Sequence, residues 1–244
     1  MRAFFRWLGL VMLAGALLQL FFAVRIASMG VLDPQSTSFE RSQIWQILTQ
    51  KGKLPWRQEW VDRSQIAPSL QRAVIASEDS VFTQHGGVWW ESLEKAWEKN
   101  AKAKAAAEQR AQRRPDAKLP QVKIVGGSTI TQQLAKNLFL SGERTLIRKG
   151  QEMVITLTLE TFLSKQRILE IYLNSVEWGE GVFGAEAAAR HYFRKSAARL
   201  NDWEAARLAV MLPRPRYFEQ RAQSAYLASR AETIMARMGD VVLP

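Results

Sequence analysis

Between Trp7 and Val24 the chain runs apolar, with a polar side chain only at Gln19. At about 1.5 Å per residue the run spans roughly 27 Å, close to the hydrocarbon core of a bilayer. Arg2 and Arg6 precede it closely, and only Arg25 follows before Arg41. That bias favours a membrane anchor with its N-terminus on the cytoplasmic side. The rival reading is a cleaved leader peptide. Its apolar region is usually shorter, no A-x-A site follows here, and Arg25 interrupts the exit.

Beyond the anchor, residues 28–42 read as a linker with Gly30, Pro34 and several Ser/Thr. Residues 44–61 set Trp45, Trp56 and Trp60 among Ile44, Ile47, Leu48 and Leu54. Six of the nine Trp fall between positions 45 and 97. They fit either the bilayer interface, which Trp prefers, or core packing. From Pro68 onward the apolar spacing is helical. Leu70 and Val74 lead into Ser77-Glu78, and a charged, Ala-rich segment over 89–113 ends before Pro115. Ile130, Leu134 and Leu138 repeat at i, i+4, i+8, and a helix follows from about Leu146 to Leu163. Ser164 caps a helix carrying Ile168, Leu169, Tyr172 and Leu173 on one face. Asn201 and Glu204 form a capping box before a helix to Leu212, which Pro213 and Pro215 stop. With no run of alternating strands and no internal repeat, the expected fold class is mainly α.

The chain has 244 residues, room for one ordinary domain with appendages. Lys and Arg exceed Asp and Glu by 34 to 23, a net charge of +11. The excess predicts an anionic partner: nucleic acid, an acidic membrane face or a phosphate-bearing substrate. An anchor that carries the rest of the chain outside removes nucleic acid. The absence of Cys excludes disulfide scaffolds, zinc ribbons and thiol nucleophiles. Residues 95–123 hold nine basic and three acidic side chains, over half of the net charge. They read either as a solvated helix face or as an electrostatic arm for anionic lipid.

Five segments match patterns that bear on chemistry. Glu78-Asp79 ends an apolar helix beside Phe82, His85, Gly86 and Gly87, where burial can turn a carboxylate into a general base. The bland alternatives are a solvated helix end and a structural His85. Gly126-Gly127-Ser128-Thr129 opens the helix of Gln132, Gln133, Lys136 and Asn137, whose polar stripes are built from short hydrogen-bonding groups. A helix start of hydroxyls, amides and one Lys suits a phosphate, and the alternative is a capped surface helix. Arg148 and Glu152 are i, i+4 partners beside Lys149, either a surface pair or a carboxylate holding two cations for a pyrophosphate. Gly179–Gly184 matches G-x-G-x-x-G, but it follows a helix and reads as a turn between helices. Ser92-Leu93-Glu94-Lys95 matches S-x-x-K by chance, with no K-T-G or S-D-N companion.

Taken in order, E-D-x-x-F-x-x-H-x-G at 78–87, G-G-S-T-I-T-Q-Q-L-A-K-N at 126–137, R-K-x-x-E at 148–152, I-L-E-x-Y-L-N with its Gly turn at 168–184 and A-A-x-L-A-x-x-L-P at 205–213 resemble the glycosyltransferase module of peptidoglycan synthases. With a lone anchor and no transpeptidase motif, the chain resembles a monofunctional biosynthetic peptidoglycan transglycosylase. The basic stretch at about 100–120 departs from that family as an insertion.

The resemblance implies a lysozyme-like helical domain with a membrane-embedded jaw. It implies a tail over 1–6, an anchor over 7–25, a membrane-proximal linker over 26–65, the catalytic domain over 66–220 and a C-terminal helix over 221–244. It implies polymerisation of lipid II by an inverting β-1,4 transfer on the outer side of the cytoplasmic membrane. Glu78 is the implied base and Glu152 the second catalytic carboxylate. Asp79, Phe82, His85, Ser128, Thr129, Gln132, Gln133, Lys136, Asn137, Arg148 and Lys149 are the implied binding residues. No cofactor is required, and Mg or Mn at the pyrophosphate is left open, with no metal ligand assigned. The expected partners are lipid II, the growing glycan, anionic lipid and other cell-wall synthases or division proteins. The rival classes are a lysozyme-like hydrolase or lytic transglycosylase, and a non-enzymatic membrane-anchored binding module.

Overall fold

The computed structural model describes residues 1–113, 127–143 and 145–244. Residues 114–120 of the basic stretch and Gly126 of the glycine pair lie outside them. The described residues form eleven α-helices and one small sheet. The apolar run lies inside α1 (Arg2–Ser28), the one described helix long and apolar enough to cross a membrane. Most of its side chains are exposed, Gln19, Phe22 and Ala23 are half-buried, and Ile26 and the following Met29 enter the core.

Part of the expected linker is helical instead. Thr37 and Glu40 form a capping box that starts α2 (Ser38–Lys51). Pro68 at the first position starts α3 (Pro68–Glu78), and α4 (Trp90–Arg113) follows. Three lysines of α4 pair with acidic residues one turn away: Lys95 with Glu91, Lys102 with Glu98, and Lys104 with Glu108. This favours a solvated helix for its described part. Next come α5 (Ile130–Phe139), α6 (Leu146–Phe162, capped by Thr145) and α7 (Lys165–Ser175, capped by Ser164). After them stand α8 (Ala185–Phe193), α9 (Asp202–Met211, with the Asn201/Glu204 capping box), α10 (Pro215–Glu219) and α11 (Ala225–Met238).

The fold is mainly α, as expected, and a small sheet accompanies the helices. β1 (Arg57–Gln58) pairs in parallel with β3 (Val182–Phe183), and β3 pairs antiparallel with β2 (Glu177–Gly179). Strands of two or three residues are too short to show alternation. The G-x-G-x-x-G segment is the β2–β3 hairpin between α7 and α8. At Gly181, with φ +72°, a Cβ would lie 2.1 Å from the Pro55 carbonyl oxygen, so no other residue lets β1 approach.

The core is centred on α7, whose Ile168, Leu169, Ile171, Tyr172 and Leu173 are fully buried. Each such aliphatic side chain contributes roughly 1.5–3 kcal/mol by leaving water. α9 packs on α3 and on α11, the last of these through Leu227, Ala231 and Ile234. The tryptophans divide between the two readings. Trp178 is fully buried and Trp56 stacks on Phe183, whereas Trp45, Trp90 and Trp97 are exposed.

α6 buries Ile155 and Leu159 as a helix in water would, yet its outer side is apolar as well. Its charged Glu152 and Glu160 face inward, while Leu146 and Ile147 are 91% and 87% exposed and Val154, Leu157 and Phe162 are exposed too. Thr158 and Thr161 lie on the same outer side, and their hydroxyls donate to the Val154 and Leu157 carbonyls, both at 2.8 Å. The side turned outward is therefore hydrocarbon and methyl, the surface that lipid accepts and water does not.

Candidate active site

Glu78 is the last residue of α3, where the helix delivers a carboxylate to the mouth of a cavity. Gln133 of α5 donates from Nε2 to Glu78 Oε2 at 2.9 Å, and Tyr172 donates its hydroxyl to Gln133 Oε1 at 2.9 Å. These two bonds fix the orientation of the Gln133 amide. Among the described residues Glu78 forms no ion pair. Burial pushes its pKa above the ordinary carboxylate value, with Gln133, Ser77 and Arg230 opposing the rise. Tyr172 is fully buried, and burial together with Glu78 and Asp79 holds its pKa well above the usual phenol value. It remains a proton donor throughout the working pH range.

Asp79 has a different task. Its carboxylate accepts the Ile130 backbone N–H at 3.1 Å and His85 Nε2 at 2.9 Å. The Gly87 N–H donates to His85 Nδ1 at 3.1 Å, which assigns the ring proton to Nε2. Asp79 and His85 thus tie the loop after α3 to the start of α5. Phe82 is fully buried beneath Lys165, whose ammonium lies 4.4 Å from the ring centre.

Thr129 caps α5. Its hydroxyl accepts the Gln132 N–H and donates to the Gly87 carbonyl at 2.6 Å, while the Gln132 side chain accepts the Thr129 N–H. The hydroxyl of Thr129 and the amide oxygen of Gln132 hold the helix start together, a structural use beside the ligand contact expected of them. Asn137 is buried on α5, Lys136 is exposed, and Ser128 is exposed at the cavity.

Gly87 joins this wall to α6. Its φ is +86°, and a Cβ there would lie 2.8 Å from Thr156 Cγ2 and from Glu160 Cγ. Gly87→Ala is expected to cost on the order of 1–3 kcal/mol in urea unfolding, through both strain and overlap. One turn before Thr156 stands Glu152, 4% exposed, bound by Arg148 Nη1 at 3.0 Å and by Lys149 Nζ. The Thr156 hydroxyl donates to the Glu152 carbonyl at 2.7 Å. Arg148 Nε is buried and has no hydrogen-bond partner among the described residues.

The cavity, about 180 Å3, is lined by Glu78, Asp79, Ser128, Thr129, Trp89 and Arg237 among others. Lys136, Arg148, Lys149 and Glu152 do not line it; the last three stand on α6, behind Gly87. Two residues escaped the sequence reading. Arg230 acts electrostatically on Glu78 and Arg237 lines the cavity, both from α11. Their i, i+7 spacing beside the apolar stripe of that helix was the available signal. Ser92, set aside as a chance match, also lines the cavity.

Among the described residues no three His, Asp or Glu side chains cluster as metal ligands. Asp79 is engaged by His85 and Ile130, and Glu152 by two cations.

The transglycosylase family profile matches residues 46–239. Three relatives are named biosynthetic peptidoglycan transglycosylase. The one from Burkholderia thailandensis is 50% identical over 243 residues, covering 98% of this chain and 88% of its own length. That from Burkholderia ambifaria is 51% identical over 233 residues, covering 95% and 88%. That from Herminiimonas arsenicoxydans is 49% identical over 239 residues, covering 98% and 96%.

Proposed function

We propose, given that this chain belongs to the transglycosylase family, that it polymerises lipid II at the outer face of the cytoplasmic membrane. The coarse activity is that of a peptidoglycan transglycosylase. The substrate, the stereochemistry and the leaving group are those that the family resemblance implies, and the residues of the site suit them. Glu78 takes the proton of the acceptor sugar's 4-hydroxyl. The oxygen attacks the anomeric carbon of the α-linked donor from the opposite face, forming a β-1,4 bond, and the bond to undecaprenyl pyrophosphate breaks. Lys136, Arg148 and Lys149 stabilise the charge that builds on the departing pyrophosphate, and Glu152 orients the last two. Ser128, with Arg237, contacts the sugar-phosphate on the cavity side. The chemistry is confined to transfer, with no transpeptidation.

The observation that carries this reading is the division of labour between two carboxylates. Among the described residues Glu78 forms no ion pair, and burial makes it favour its proton, as suits a base. Glu152 is neutralised by two cations, as a leaving-group clamp must be. The outward hydrocarbon of α6 and the apolar α1 support a lipid-borne substrate, and the basic net charge suits an anionic membrane.

Purified full-length protein is expected to convert lipid II into long glycan strands, followed by gel electrophoresis with and without a divalent cation. Shortening of preformed glycan without polymerisation would establish the hydrolase reading instead. Liposome binding without either activity would establish a binding module. The pH profile offers a second check. The acid limb of kcat/KM should lie above the ordinary carboxylate value of 4.5. Gln133→Leu removes a hydrogen bond that favours the charged carboxylate, so it should move that limb to still higher pH.

A further inference from the structure

Gln19 is the one polar side chain in the apolar stretch of α1, and it is not left bare. Its Nε2 donates to Gln151 Oε1 at 2.9 Å, and Gln151 Nε2 donates back to Gln19 Oε1 at 3.2 Å. Gln151 immediately precedes Glu152 and shares a helical turn with Arg148 and Lys149. Further along, the Phe22 ring meets Phe139 edge-on at 5.2 Å, Gly30 faces Leu163, and Arg167 Nε donates to the Met29 carbonyl at 2.7 Å. Positions 19–30 of α1 therefore run alongside positions 151–163 of α6, in the same direction.

This register has a consequence for depth. The apolar run ends at Val24, so Gln19 lies five residues, roughly 8 Å, inside its outer end. The start of α6, with exposed Leu146 and Ile147, reaches below that level, into the outer leaflet. By the same register the Arg148–Lys149–Glu152 turn stands level with positions 16–20 of α1, within the outer half of the apolar run. An unpaired amide in hydrocarbon is costly, and apolar contact alone gives two helices in lipid little reason to keep one register. A reciprocal amide pair supplies both the pairing and the register.

We propose that Gln19 is a positioning residue of the reaction: its amide pair with Gln151 clamps the anchor along α6 and so fixes the depth at which the Arg148–Lys149–Glu152 turn meets a lipid-borne pyrophosphate. The proposal rests on the lipid II reading above. It makes the anchor part of the catalytic geometry and not a tether alone.

The test compares one set of variants in two media. Gln19→Leu, Gln151→Leu and the double variant should each lose roughly three- to tenfold in kcat/KM on lipid II in liposomes, the range an interhelical amide pair supports. The loss should fall on KM, and the double variant should be no worse than either single one, because all three break the same bond. On a short-prenyl lipid II analogue in detergent all three should match wild type. An equal loss in both media, or no loss in liposomes, would overturn the proposal. A second readout needs no activity. The chain has no cysteine, so a fluorophore on Ile147→Cys reports depth through quenching by nitroxide-labelled acyl chains. Quenching should be strong, and weaker once Gln19→Leu is added; unchanged quenching would also overturn the proposal. Wild-type inactivity on both substrates would sink the lipid II reading, while the depth measurement would still decide the clamp.

Discussion

Glu78→Gln is expected to lower the polymerisation rate by roughly 10²–10⁴-fold, the usual contribution of a general base. The substitution is nearly isosteric. Gln133 can still donate to the remaining carbonyl oxygen, and Tyr172 still anchors Gln133 from behind. What disappears is the ability to accept a proton. The same substitution should raise Tm at neutral pH. Burial makes Glu78 hold its proton more tightly in the folded chain than in the unfolded one. Stability therefore declines as pH rises from the ordinary carboxylate range through the folded pKa, and the neutral amide avoids that decline. A gain of about 1 kcal/mol would appear as roughly 2–4 °C in a domain of this size. Loss of activity together with a higher Tm, by gel assay and calorimetry on one preparation, identifies a group held at a cost for chemistry. A variant that polymerises at the wild-type rate would remove Glu78 from the mechanism.

The second large effect is expected at the clamp. Glu152→Gln should lower the rate by roughly 10²–10³-fold, the scale of losing one preorganised electrostatic contact. Here stability should move the other way. Glu152 is buried between Arg148 and Lys149, and a neutral amide leaves two neighbouring cations to repel each other. Urea unfolding should show a drop in midpoint for Glu152→Gln and a rise for Glu78→Gln. Two carboxylates in one protein that shift stability in opposite directions when neutralised are difficult to explain except by opposite electrostatic surroundings. Equal shifts would contradict the assignment of base and clamp.

Much of this was legible in the residues. Caps are local chemistry, so Ser164, Asn201 with Glu204, and Thr129 marked their helices from the order of side chains alone. The apolar run, the Glu78-Asp79 ending of a helix and the Arg148–Glu152 spacing are likewise local. Other features required the chain to close on itself. Tyr172 read as one more apolar-face residue until the packing of α7 on α5 brought its hydroxyl to Gln133. Thr129 and Gln132 read as ligand donors, and the capping box occupies them. Arg230 and Arg237 gained a role only when α11 packed against α3. The sheet went unseen because β2 and β3 are too short to show alternation, and β1 joins them from more than 100 residues away, Arg57 pairing with Val182.

The sequence by itself determined most of the helices, several of their caps, the N-terminal apolar run and the inventory of acids and cations, since each follows from neighbours within a turn or two. Among the described residues, tertiary structure alone decided which carboxylate is desolvated without an ion pair and which is held between two cations. That distinction depends on desolvation and on charges brought in from distant elements, and no residue carries either in its own identity. It also decided that α6 turns its charges inward and its hydrocarbon outward, and that Gln19, an apparent flaw in the anchor, faces Gln151.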